Sequence, residues 1–250
     1  MRYITATRWT IASMAVLLMI LPAAFADGGN QVSQSITMTG EGGYVSQNAA
    51  NAAVVSGSNN YVNQDITQNA QGDYITQSAA NAAVVVGDNN IVGQRVDQDA
   101  SGNSIAQSGA NAVAVVGNNN DVTQDVTQRA YGDEIYQTGW NSGTIAGDGN
   151  LLRQRTFAHA RTRPIRRVAD PVQTMSNFAY IMGFYNTVDQ DIIGYAMVGS
   201  GNGPITQSGC NLIQTPEMGW NEFGQRISFA GRSGPGSEVM QSAKNEVWIG

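Results

Sequence analysis

The sequence holds one cysteine, one histidine and six prolines in 250 residues. A lone cysteine excludes an intrachain disulfide framework, so stability must come from elsewhere. The only histidine, His159, has no second histidine or cysteine beside it, which leaves little for a metal centre or an acid–base relay. Charge is scarce as well, at 13% of residues, and the formal net charge of −6 argues against nucleic acid as a general partner. No Gly-x-Ser-x-Gly elbow, P-loop or His-Glu-x-x-His motif occurs. The expectation is a chain that is not an enzyme, with no catalytic, cofactor-binding or metal-binding residue assigned.

Long apolar runs are confined to the first residues. Arg2 and Arg8 precede an apolar stretch from Trp9 to Leu21, and Ala24-Phe25-Ala26 places small residues where a signal peptidase cuts. This arrangement predicts a secretory signal peptide over 1–26 and a mature chain beginning at Asp27. The stretch is shorter than the roughly 20 residues needed to cross a bilayer, and no later segment is more apolar. The expected location is extracellular or at the cell surface, with no membrane span.

What the sequence has in abundance is Gly, Asn and Gln at a fixed interval of 30 residues. Gln34, Gln64, Gln94, Gln124 and Gln154 form one column; Gln47, Gln77, Gln107 and Gln137 a second; Asn51, Asn81, Asn111 and Asn141 a third. Gly57, Gly87, Gly117 and Gly147 recur in step, followed by Asn60, Asn90, Asn120 and Asn150. Four regular repeats fill 27–150. Past Asn150 the motif returns with insertions over 151–250: Gln173 with Asn177, Gln207 with Asn211, and Gln241 with Asn245. The total is about seven units, and a repeat of this length reads as a stacked solenoid.

Within a unit the apolar period is two. Val62, Gln64, Ile66 and Gln68 share one face of a strand, and Asn63, Asp65 and Thr67 the other. The punctuation predicts a turn at Gly72-Asp73, a strand over 74–78, a third short strand over 82–86, and a turn at Gly87-Asp88-Asn89-Asn90, where Gly and Asn tolerate positive φ. Coils about 4.8 Å apart would align the Gln and Asn columns into ladders in which each amide bonds the copies above and below. The fold expected is therefore all-β, a β-solenoid with inward amide ladders and with loops inserted in its C-terminal half.

The segment Ile105-Ala-Gln107-Ser-Gly109-Ala-Asn111-Ala-Val-Ala114 resembles the curlin repeat, whose core is Gln-x-Gly-x-x-Asn-x-Ala followed by another Gln. The spacing from Gln to Asn here is four, one shorter than in that family, and Ala49 and Ala79 stand where the motif has Gly. The resemblance implies core positions at Gln107, Gly109, Asn111 and Ala114, and at the pairs Gln77–Asn81 and Gln207–Asn211. It implies a functional amyloid that forms curli-like fibres in biofilm matrix; the open strand edges of the regular N-terminal coils add the expectation of head-to-tail stacking with itself or with a related fibre subunit. A monomeric solenoid adhesin and a β-helical polysaccharide-acting enzyme are the alternatives.

Several features stand outside the pattern. Arg153, Arg155, Arg161, Arg163, Arg166 and Arg167 are six of the thirteen basic residues and flank the largest insertion. Arg161, Arg163, Arg166 and Arg167 could grip an anionic matrix polysaccharide or mark a processing site, or form a solvated loop. Cys210 replaces the alanine of Ala110, and Trp140 and Trp220 both occur in Gly-Trp-Asn, which aligns them before the ladder Asn. Asp65, Asp125 and Asp191 share an outward column broken by Arg95 and Arg155, a pattern suited to cross-strand charge pairing.

Overall fold

The computed structural model describes residues 24–25, 30–87, 89–117, 120–147, 149–162, 170–198, 203–216, 220–234 and 238–249. The predicted signal peptide lies outside them except for Ala24 and Phe25. No helix occurs among the described residues. The strands are β1 (Ala24–Phe25), β2 (Gln31–Ser56), β3 (Tyr61–Val86), β4 (Ile91–Ser101), β5 (Ser104–Val116), β6 (Asp121–Gly132), β7 (Glu134–Ala146), β8 (Leu151–Thr162), β9 (Val172–Met182), β10 (Thr187–Met197), β11 (Ile205–Thr215), β12 (Glu222–Arg232) and β13 (Val239–Ile249).

Every pairing is parallel, and all strands belong to one sheet that winds as a β-solenoid of seven coils. Each coil has two legs. In the first two coils the legs are the halves of β2 and β3. In the others they are β4 and β5, β6 and β7, β8 and β9, β10 and β11, and β12 and β13. First legs stack on first legs and second legs on second legs, in the order β12-β10-β8-β6-β4-β3-β5-β7-β9-β11-β13.

The period-two pattern explains the legs. In β6, Val122, Gln124, Val126 and Gln128 are buried, while Asp121, Thr123, Asp125 and Thr127 face outward. One expectation needs correction. The segment 74–86 is a single strand, not two short ones, because Ala79 and Asn81 turn inward and Ala80 and Ala82 outward without interrupting the alternation. Alanines with no turn residue among them fit the pleat, and both neighbouring coils pair with this stretch along its length.

Two corners join the legs. At the corner that starts the next coil, Gly87 has φ +138°, and a Cβ there would overlap the carbonyl oxygen of Gly57 in the coil below. Stacking at this closeness needs glycine. Asn59 and Asn89 follow in the left-handed region at φ 60° and 55°. Tyr185 takes the same place at φ 60°, immediately before the corner Asn186. The other corner, between first and second legs, takes the long insertions of the last three coils, and the glycine corner is lengthened only between β11 and β12.

The interior is a set of matched columns. Val62, Val92, Val122, Leu152 and Val188 pack with Val55, Val85, Val115, Ile145 and Ile181 near the glycine corner. Ile75, Ile105, Ile135 and Ile205 pack with the Ala70, Ala100, Ala130 and Ala160 column near the other. Size is exchanged between the legs. Where the first leg has the larger Leu152, the second has Gly143, whose added Cβ would lie 2.7 Å from Leu152 Cδ2. Solid packing of this kind is what native interiors require.

Candidate functional site

The distinctive chemistry of the molecule is its stack of buried amides. In the first legs Gln64 Nε2 donates to Gln34 Oε1 (2.9 Å), Gln94 to Gln64 (2.9 Å), Gln124 to Gln94 (2.9 Å) and Gln154 to Gln124 (2.8 Å). Gln190 and Gln225 extend the column at 2.7 and 3.0 Å. In the second legs Gln77 donates to Gln47, Gln107 to Gln77 and Gln137 to Gln107, each at 2.9 Å, and the column runs on through Gln173 and Gln207 to Gln241. The asparagines run the opposite way. Asn51 Nδ2 donates to Asn81 Oδ1 (3.1 Å), Asn81 to Asn111 and Asn111 to Asn141 (both 3.0 Å), continuing to Asn245.

Most of these amides also tie the two legs together with their second hydrogen. Gln94 Nε2 reaches Ala112 O at 3.0 Å, Gln107 Nε2 reaches Arg129 O at 3.0 Å, and Asn81 Nδ2 reaches Arg95 O at 2.9 Å. A buried amide without partners would cost on the order of 2–7 kcal/mol; here the repeat itself supplies them.

Two further ladders complete the set, the Gln68 column not singled out from the sequence and the corner asparagines that recur there. Gln98 donates to Gln68 (2.7 Å) and Gln128 to Gln98 (2.8 Å), with Met38 Sδ accepting from Gln68 at the lower end. At the glycine corner the backbone N–H of Asn60 donates to Asn90 Oδ1, that of Asn90 to Asn120 Oδ1 and that of Asn120 to Asn150 Oδ1. Gln68 sits on the inward face read from the alternation, and the corner asparagines recur at the same interval, so both signals were present.

The outer surface is divided by charge. On the first legs Asp65, Arg95, Asp125, Arg155, Asp191 and Arg226 succeed one another in a single column with strictly alternating sign. Arg226 and Asp191 form a two-pronged contact at 2.9 and 2.7 Å. Arg95 and Arg129 both converge on Asp97, at 3.0 and 2.9 Å. Partial burial raises the Asp125 carboxyl above its ordinary range, against the opposing pull of Arg155 and Arg95. His159 lies on the same face next to Arg129 and Arg161; burial, then these two cations, lowers its pKa.

Of the basic residues around the insertion, Arg161 lies over the ring of Tyr131, 5.9 Å from its centroid. Arg163, Arg166 and Arg167 lie outside the described residues. Cys210 is half-buried and, with Ser176 and Lys244, continues the outward column of Ala110 and Trp140. Trp220 must be reassigned. Asn221 accepts from the backbone N–H of Asn186, so it belongs to the corner ladder, and Trp220 stands at the corner rather than on a leg. Its position explains its exposure of 81%.

Among the described residues no group of three or more His, Cys, Asp or Glu is placed to hold a metal ion. No described helix is long and apolar enough to cross a membrane. No family model, curated protein or solved structure matches this chain.

Proposed function

We propose that the protein is a secreted structural subunit that stacks end to end with copies of itself into an extracellular, curli-like matrix fibre. The observation that carries this reading is the polarity of the ladders. All glutamine donors point toward the N-terminal coil, so that end presents the amides of Gln34 and Gln47 and the other end the carbonyl oxygens of Gln225 and Gln241. The asparagine ladder presents the reverse pair, the Asn51 oxygen at one end and the Asn245 amide at the other. One subunit's last coil therefore matches another's first coil, donor to acceptor, in all three ladders.

The apolar columns match as well. Ile227, Phe229 and Ile249 of the last coil occupy the columns of Ile36, Met38 and Val55 in the first, as the rung-by-rung pairing carries them through the stack. Val247 and Ile249 are 43% and 54% exposed, with no coil stacked beyond them among the described residues. Both belong to strand β13. An uncovered parallel edge is a template for another chain, and a head-to-tail contact that does not close propagates as a filament. Among the described residues, the first coil is paired from below only at Val55 and Ser56, by Ala24 and Phe25; signal-peptide cleavage after Ala26 would remove those two residues and uncover the edge.

Electron microscopy of the purified 27–250 chain tests the reading. Fibres with strands about 4.8 Å apart across the axis are expected, and Ile36→Lys, placing a charge on the first coil's end, should suppress them while the spectrum stays β-rich. A wild-type chain that remains monomeric for days at high concentration would make a monomeric adhesin the better description.

A further inference from the structure

We infer that the outer face of the second legs is a second assembly surface, which pairs face to face with the same surface of another copy. Charge points to it first. The first legs carry the alternating column described above, yet from Tyr44 to Thr215 the second legs carry one charged residue, Glu134, at the start of its strand. In the last coil Lys244 and Glu246 neutralise each other at 2.7 Å. What the face exposes instead is uncharged: the large apolar side chains Val54, Val84, Val116, Tyr136, Trp140 and Trp248, set among outward hydroxyls such as Ser78, Ser108 and Thr138.

Its size is that of an interface. A leg of a dozen residues at about 3.3 Å each, crossed by seven coils about 4.8 Å apart, covers roughly 1,200 Å². A stable complex buries about 800 Å² on each partner. The face is a continuous in-register parallel sheet, so a second such face can lie on it at the usual separation of about 10 Å.

Volume sets the orientation. Along the middle of the legs Ala80, Ala82, Ala110 and Ala112 make the face low in the early coils, with Tyr44 and Tyr74 stacked only at the start of the leg, whereas Trp140, Phe178 and Leu212 raise the same middle columns in the later coils. Two copies with antiparallel axes set each raised half against a low half; parallel axes would oppose bulk with bulk and leave a gap between the alanines. The resulting contact is two-fold and closes on itself. It is lateral, so it does not depend on end-to-end growth, and the absence of charge disfavours an anionic polymer as the occupant.

The test uses the 27–250 chain carrying Ile36→Lys, so that end-to-end stacking is suppressed and lateral pairing is weighed alone. Sedimentation should give a concentration-dependent dimer. Ala82→Lys with Ala112→Lys on this face should return it to the mass of one chain, and Thr67→Lys on the first-leg face should leave it dimeric. For orientation, Ala80→Cys together with the native Cys210 should be joined between chains by a short bis-maleimide, because the second coil of one copy lies against the sixth of the other. Cys210 alone should not be joined. A chain that stays monomeric throughout, or that binds a soluble glycan through this face as a monomer, overturns the inference, as does dimer loss from Thr67→Lys; joining through Cys210 alone overturns the antiparallel arrangement. Persistent fibres in the Ile36→Lys chain would instead count against the end-to-end reading, which keeps the two failures apart.

Discussion

Gln128 and Ala158 occupy adjoining rungs of one inward column, and a ladder ends between them. Gln128 donates to Gln98, but its own Oε1 has no partner, since the residue above it carries no donor. The space that a further glutamine would fill is taken from the opposite leg by Met175, which packs on Ala158 and Ile192. Below this point the exchange is reversed, with Gly139 facing Gln128 and Gly109 facing Gln98. The column has changed from hydrogen bonding to apolar filling at constant volume.

That exchange predicts strong coupling. Ala158→Gln alone overpacks the site and should cost about 1–3 kcal/mol, and Met175→Ala alone leaves a cavity worth about 2–5 kcal/mol. Together they recreate the glutamine–alanine pairing found lower in the stack, with a donor for Gln128 Oε1. In a double-mutant cycle by chemical denaturation the pair should be more stable than the sum of the singles by more than about 1 kcal/mol. Additive losses would contradict the volume exchange.

The central rungs can be probed singly. Gln94→Leu removes the acceptor for Gln124 and the donor to Gln64 at once, leaving buried polar groups unpaired at about 1–3 kcal/mol. Thr123→Ala changes an outward side chain and should cost under about 0.5 kcal/mol. Equal losses would mean that the inward amides contribute nothing particular to stability.

Why so much of the stack was legible follows from its geometry. Parallel in-register stacking makes the sequence interval equal to one coil, so Gln34 to Gln154 align without any knowledge of the chain path. The signal weakened wherever the interval changed. Gln225 stands 35 residues from Gln190 rather than 30, because the corner loops of the later coils are longer. Trp220 was misplaced because Gly-Trp-Asn fits both a leg and a corner, and only the Asn186–Asn221 hydrogen bond distinguishes them. Ladder polarity is invisible in sequence: an amide can face either way, and the choice here is fixed by the carbonyl it reaches on the opposite leg.

The single histidine offers a pH test. Burial and the adjacent Arg129 and Arg161 favour the neutral ring in the folded chain, so its folded pKa lies below the ordinary value of 6.5. The unfolded state then binds the proton more readily, and stability falls as pH drops through 6.5 toward the folded pKa. Above 6.5 both states are neutral and the contribution vanishes. Denaturation midpoints measured from pH 7.5 to 5 should decline for the wild type, and His159→Gln should remove part of that decline. An unchanged slope in the variant would contradict the assignment.

Residues 36 and 227 give the most direct measurement of end-to-end assembly. They lie in one column but six coils apart within a chain, at roughly 4.8 Å per coil, too far to be joined internally. Across a head-to-tail junction they become adjoining rungs, inside the Cα separation of about 4.4–6.8 Å that a disulfide spans. In a Cys210→Ser background, Ile36→Cys with Ile227→Cys should yield a covalent series of oligomers on oxidation, and an equal mixture of the two single variants should stop at a dimer containing one of each. Absence of any disulfide-linked oligomer, or dimers formed by either single variant alone, would contradict the account.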